Sequence, residues 1–264
     1  MKFSSAPWYG GGFANNVRMA KKYGFRAVEI LGWKDIDVDA AAEVLRETEM
    51  ENSMLLLASR DDKLNEKVFW SHGIVWDDTA PFLVEALCET AEAAHKMGTK
   101  NIVLTSGNAR EGIRPEYQHE AMIKNLSAAA PVCEKLGVTL CLEPLNVIVD
   151  HPGHFLTTSA EAFDIIKAVN SPNVKVLFDI YHQQVTEGNV IRNITENIEH
   201  IAHFHIADNP GRAQPGTGEL NYSKIFEAIY KTGFDGWLAF ECSSTVPVDE
   251  LCPKMRELIR PFED

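Results

Sequence analysis

Four short apolar runs each close on a side chain able to bind a metal: Glu143 in CLEPLN, Asp179 in LFDIYH, His205 in HFHIAD and Glu241 in AFECS. They stand 36, 26 and 36 residues apart, each step about one strand–helix unit. A carboxylate at the end of an apolar strand is costly to bury unless it is paired or coordinated. One such residue is an ordinary surface or paired polar group. Four in succession call for a common partner. A divalent cation balances three carboxylates and accepts one neutral imidazole. Oxygen-rich ligation with one nitrogen suits Mn²⁺, Mg²⁺ or Co²⁺ better than a structural Zn²⁺ site. Four protein ligands leave about two of six octahedral positions for oxygens of a substrate.

That arrangement suggests proton chemistry beside a carbonyl. A hydrogen on the carbon next to a carbonyl is weakly acidic. A cation on the carbonyl and the neighbouring hydroxyl oxygen stabilises the enediolate left when it departs. One carboxylate removes the proton and a second returns it. Glu143 and Glu241, on strands expected to face each other across the centre, are the candidates for both tasks while also serving as ligands. The expected partner is a small hydroxy-carbonyl compound.

What must hold these residues at one level? The strands read from the sequence are Lys2–Ser5, Arg26–Leu31, Met54–Ser59, Asn101–Ser106, Val138–Pro144, Lys175–Ile180, Ala202–Ala207 and Trp237–Cys242. Their Val, Ile, Leu and Phe content fits strands covered on both faces. Helical segments alternate with them, several stopping at glycine: Gly24, Gly98, Gly137 and Gly233. Eight such units predict an α/β (β/α)8 TIM barrel, one domain over residues 1–264, with the four residues at its C-terminal mouth. An open nucleotide-binding sheet is the other option. Gly10, Gly11 and Gly12 follow the first strand but lack the GxGxxG spacing. The connection Arg60–Thr79 is unusually long and carries Phe69, Trp70 and Trp76. It reads either as a lid or as an extra packed turn of helix.

Bulk properties narrow the function. The net charge of −13 disfavours nucleic-acid and membrane partners and tolerates a cation. No apolar run approaches the ~20 residues of a membrane span, and MKFSSAPWYG lacks the apolar core of a signal peptide. Five cysteines without CxxC spacing read as reduced thiols. A cytoplasmic homo-oligomer, dimer or tetramer, is expected.

The run HIADNPGRAQPGTGELNY (205–222) resembles the strand-seven segment of hydroxypyruvate isomerases, in the xylose isomerase-like barrel superfamily. EPLN (143–146), PGHFLTT (152–158), DIYHQQVTEGN (179–189) and GFDGWLAFE (233–241) fit the same family in order. The likeness is specific in the C-terminal half and loose in the N-terminal half. It implies that Glu143 and Glu241 are the acid/base pair and that Asp179 and His205 bind the metal. It also implies that His182 touches a substrate oxygen and that Arg212 faces the substrate's far end. The implied reaction converts hydroxypyruvate to tartronate semialdehyde.

Two departures bear on the substrate. His205 stands where hydroxypyruvate isomerases resemble one another in having Gln, and ketose 3-epimerases of the superfamily have His. After EPLN, the segment VIVDHPGH carries Asp150, His151 and His154 in place of the family's Arg. The alternatives are therefore a ketose 3-epimerase, a 2-oxo-tetronate isomerase, a lyase resembling inosose dehydratases, and a non-catalytic metal-binding barrel. A DNA-repair endonuclease on this barrel would need more histidines and a basic groove. Glu29 is open between barrel mouth and surface, and His203, one layer below His205, reads as a hydrogen-bonded core histidine.

Overall fold

A computed structural model describes residues 1–69 and 71–263. Its strands are β1 (Lys2–Ser5), β2 (Ala27–Val28), β3 (Glu51–Asn52), β4 (Met54–Leu56), β5 (Asn101–Thr105), β6 (Thr139–Glu143), β7 (Val174–Asp179), β8 (Ile201–Ile206) and β9 (Trp237–Phe240). All pair in parallel, in the order β3-β2-β1-β9-β8-β7-β6-β5-β4. Strand β4 falls within the expected third strand, Met54–Ser59, while β3 precedes it across Ser53 and was not expected; the two ends of the strand order are thus joined through the chain itself. The expected TIM barrel is the fold.

Alternation along the strands builds two layers of core. Residues facing the helices form the large outer layer, with Phe3, Ile102, Leu140, Phe178, Phe204 and Leu238 essentially inaccessible. Residues facing the axis form a separate small cluster: Met54, Val103, Cys141 and Leu177, with Leu31, Leu56 and Ala202 against them. Period two then fixes what lies above. Two residues past Cys141 is Glu143, and two past Leu177 is Asp179. His203 lies below His205 in the same way.

Strand two is regular only over Ala27–Val28, shorter than Arg26–Leu31. Glu29 N–H still donates to Ser5 O at 2.8 Å, and Leu56 N–H to Leu31 O at 3.0 Å, so pairing continues irregularly toward the mouth. The glycine stops expected at Gly24, Gly98, Gly137 and Gly233 all have positive φ. Gly137 caps the 22-residue helix Pro115–Leu136.

The long connection after β4 is packed. It contains the helix Asp62–Val68 and a 3₁₀ turn at Gly73–Val75, with Ile74 and Val75 fully buried. The Asn125 side chain donates to Ile74 O and Trp76 O, both at 2.8 Å. A Cβ on Gly73 would lie 2.4 Å from Ser106 O, so the turn sits directly against the end of β5. Trp70 lies outside the described residues. No described helix is long and apolar enough to cross a membrane.

Candidate metal and catalytic centre

Glu143 and Asp179 end β6 and β7, His205 is next to last in β8, and Glu241 follows β9. Asp179 is the register partner of His205, which is in turn that of Ala239, and Glu241 N–H donates to Ile206 O at 3.1 Å. The ladder therefore sets the donors at one level. One donor atom from each residue lies within 4.8 Å of all the others. His205 Nδ1 is 3.3 Å from Glu143 Oε1, 3.1 Å from Glu241 Oε2 and 3.9 Å from Asp179 Oδ2. Adjacent ligands of an octahedral ion with bonds of about 2.1–2.2 Å stand roughly 3 Å apart. The separations are those of a coordination shell. Glu143 Oε1, Asp179 Oδ2 and His205 Nδ1 are buried without a hydrogen-bond partner. Each such orphan costs about 1–3 kcal/mol, and all three converge on one point. The donor set fits a hard or borderline divalent cation.

Local structure explains how Asp179 keeps one oxygen free. It is also the N-cap of the helix Ile180–Thr186, and Oδ1 accepts from the N–H groups of Tyr181 (2.8 Å) and His182 (3.1 Å). Only Oδ2 is left for the centre.

The electrostatics reflect crowding of like charge. Burial raises the Glu143 carboxyl, and neighbouring Glu241 and Asp179 add to that against the opposing His205. Burial also pushes Glu241 up, but the imidazole of His205 and the guanidinium of Arg212 outweigh it and bring it to about 2. His205 is driven down by burial and raised well above its ordinary range by Glu241, Glu29 and Glu143. A cation at the centre would relieve this repulsion directly.

A second buried group lies just beneath. Glu29, open in the sequence, points into the barrel. One oxygen is 2.7 Å from His205 Nε2, the other 2.7 Å from His203 Nε2. Ser53 Oγ donates to it at 2.7 Å. His203 is inaccessible, and its Nδ1 lies 3.4 Å from the Asn101 amide nitrogen, in accord with a hydrogen-bonded core histidine.

Around the centre, His182 is fully buried. The Asn146 amide donates to its Nδ1 at 2.6 Å, which leaves the ring proton on Nε2, 3.5 Å from Asp179 Oδ2. Burial lowers His182, so the ring is neutral and its N–H is a donor toward the centre. Arg212 places Nη2 2.6 Å from Glu241 Oε2 and 3.6 Å from Asp179 Oδ2, with the guanidinium over the Tyr181 ring. Its position is thus beside an acid/base candidate. A cleft of about 360 Å³ lined by Ala6, Pro7, Gly211, Arg212, Glu241, Cys242 and Ser243 opens on it. From the β6 loop, Asp150 accepts from Tyr181 OH and Asn146 Nδ2, both at 2.8 Å, and the His151 ring lies 5.2 Å from that of His182.

Asp208 was not among the residues singled out in the sequence. It is inaccessible and gathers the Arg212 loop: Oδ1 accepts from Asn209 and Leu220 N–H, Oδ2 from Gly216 and Thr217 N–H. Backbone donors leave no side-chain pattern to read, so nothing in the sequence marks it. Hydrogen bonds to a charged group contribute about 1.5–3 kcal/mol each. Asp208→Asn turns one oxygen into a donor facing N–H groups. The melting temperature should fall by roughly 5 °C and KM should rise. An unchanged melting curve would show that the loop holds itself.

Comparison with known proteins agrees with the barrel fold. Residues 17–261 match the model of the xylose isomerase-like TIM barrel family. The chain is 32% identical over 233 residues to hydroxypyruvate isomerase of Escherichia coli, covering 87% of each. It is 41% identical over 119 residues to 2-oxo-tetronate isomerase of Cupriavidus necator, covering 45% of each. A solved structure titled AP endonuclease, family 2, from Brucella melitensis superposes with a TM-score of 0.86 at 26% identity, over 100% of this chain and 99% of that one. The chain belongs to the xylose isomerase-like TIM barrel family and, within it, to the hydroxypyruvate isomerase family, as an enzyme of the sugar and hydroxy-acid isomerase kind.

Proposed function

We propose that the enzyme is a metal-dependent isomerase that moves a proton between adjacent carbons of a small hydroxy-carbonyl compound, with hydroxypyruvate to tartronate semialdehyde as the best-supported conversion. The observation that carries this is the convergence of Glu143, Asp179, His205 and Glu241 on one point with three orphaned donor atoms. Those four residues would hold Mn²⁺, Mg²⁺ or Co²⁺. When bound, the cation supplies Lewis-acid stabilisation of negative charge on adjacent substrate oxygens.

The chain's own groups do the rest. Glu143 and Glu241 carry the proton off one carbon and onto the next. They approach from strands β6 and β9, with β7 and β8 between them. The His182 Nε2–H donates to a substrate oxygen. Arg212 keeps Glu241 ionised and offers its remaining N–H groups to an anionic end. The acidic protein takes a small-molecule partner and neither nucleic acid nor membrane, and acts in the cytoplasm as a homo-oligomer.

A second reading is 3-epimerisation of a ketose or isomerisation of a 2-oxo-tetronate. It is favoured by Asp150, His151 and His154 on the β6 loop, where an acid-binding arginine would otherwise help hold a carboxylate. Burial holds His151 and His154 below the usual imidazole range, so they favour hydroxyls over anions.

A crystal soaked in Mn²⁺ should show one ion within bonding distance of the four residues. Absence of density there would overturn the metal reading. In D₂O, a panel of three- to six-carbon hydroxy-carbonyl compounds should reveal the substrate by deuterium uptake at the exchanging carbon.

A further inference from the structure

Glu29 lies inside the barrel below the centre, within reach of two histidines, and the proposed reaction does not use it. Could Glu29, His203 and His205 hold a second ion? The distances decide. Two ligands of a tetrahedral ion with bonds of about 2.1 Å stand roughly 3.4 Å apart. Here each imidazole nitrogen is 2.7 Å from a carboxylate oxygen. A nitrogen lone pair and a carboxylate lone pair repel at that range unless a proton lies between them. The contacts are therefore close approaches of N–H groups to an acceptor-only carboxylate, short in distance but off the hydrogen-bond line, which leaves both Nε2 atoms and one Glu29 oxygen without a regular hydrogen bond.

The rest of the network fixes the protons. The Asn101 amide faces His203 Nδ1, which leaves the His203 proton on Nε2, toward Glu29. Ser53 donates to the same Glu29 oxygen as His203, and Ser4 Oγ lies 2.9 Å from Ser53 Oγ. Glu29 N–H is tied to Ser5 O. The carboxylate is thus held from below and from the strand edge, and its second oxygen meets His205 Nε2.

We infer that Glu29 is the positioning residue of the centre: by facing the Nε2–H of His205 at 2.7 Å it fixes the ring plane and turns Nδ1 toward Glu143, Asp179 and Glu241. This rests on the metal reading above. An imidazole that donates one N–H to a carboxylate is both oriented and made more basic at its other nitrogen. Without Glu29 the ring can turn over, or carry its proton on Nδ1, and then it presents N–H instead of a lone pair.

The test uses the full chain labelled with ¹⁵N-histidine, together with Mn²⁺ and Co²⁺ titrations. In the wild-type protein, His203 and His205 should each show a slowly exchanging, downfield Nε2–H. Glu29→Gln keeps the volume but sets an amide N–H₂ against one of the two imidazole donors. It should weaken Mn²⁺ binding about 10–100-fold and remove the downfield His205 signal. Should Glu29→Gln fail to fold, the wild-type spectrum still decides: a His205 without Nε2–H overturns the inference. Mn²⁺ affinity within twofold of wild type and an unchanged spectrum in Glu29→Gln would also overturn it, as would an ion ligated by Glu29 itself. If wild-type protein binds neither Mn²⁺ nor Co²⁺, the metal reading fails, and the Nε2–H signals separately report whether Glu29 holds the ring.

Discussion

Glu143→Gln and Glu241→Gln will each abolish turnover and leave the barrel folded. Glutamine keeps the shape of glutamate, so neither the axis-facing layer nor the strand ladder is disturbed. What it loses is the ability to carry a proton. A missing general base typically costs ~10²–10⁴ in rate. Deuterium exchange at the substrate carbon should fall along with net conversion, because exchange needs the same proton transfer. Both residues also lie in the donor set, so metal content must be measured beside kcat. A variant that keeps its metal and loses turnover has lost acid/base chemistry. One that loses both has lost a ligand. Near wild-type kcat in either variant would remove that residue from the acid/base role.

The convergence of these four side chains was legible in the sequence because they are strand ends. Period-two alternation and one βα unit per step carry Glu143, Asp179, His205 and Glu241 to the same level whatever the loops do. Strand boundaries were less legible. The third strand breaks at Ser53, which serves a buried hydrogen-bond chain through Ser4 and Glu29. The second strand loses regular pairing after Val28, and that is where Glu29 turns inward. The orientation of such a residue depends on neighbours far away in the chain, so the sequence left Glu29 undecided between mouth and surface. Asp179 as an N-cap was hidden for a different reason. Its strand role and its helix role use different oxygens of one carboxylate, and only geometry separates them. Asp208 was missed because its partners are backbone N–H groups. The Arg60–Thr79 connection allowed a lid or a packed turn. Burial of Ile74 and Val75, with the glycine contact at Gly73, makes it packed there.

Arg212→Lys will separate an acidic from a neutral substrate, because its effect depends on substrate charge. Arg212 has φ of 50° and its carbonyl accepts from Ser243 N–H at 3.0 Å, so its backbone is pinned at the cleft. The guanidinium spends one nitrogen on Glu241 and lies over Tyr181, with its side chain 28% exposed. Several N–H donors remain for a two-pronged contact with a carboxylate. Lysine can keep the point charge beside Glu241 but not the planar fork. If the substrate is an acid such as hydroxypyruvate, the lost fork should raise KM about 10–100-fold, the worth of one or two charge-assisted hydrogen bonds. The contact exists in ground and transition states alike, so kcat should change much less. If the substrate is a neutral ketose, no anion waits for the fork, and KM should move by a few-fold at most. The same variant assayed on both substrate types therefore separates the two readings. A KM for a carboxylate substrate within about twofold of wild type would mean that Arg212 is not the anion site. Its duty would then be confined to Glu241, and an acid substrate would lose the guanidinium beside the centre.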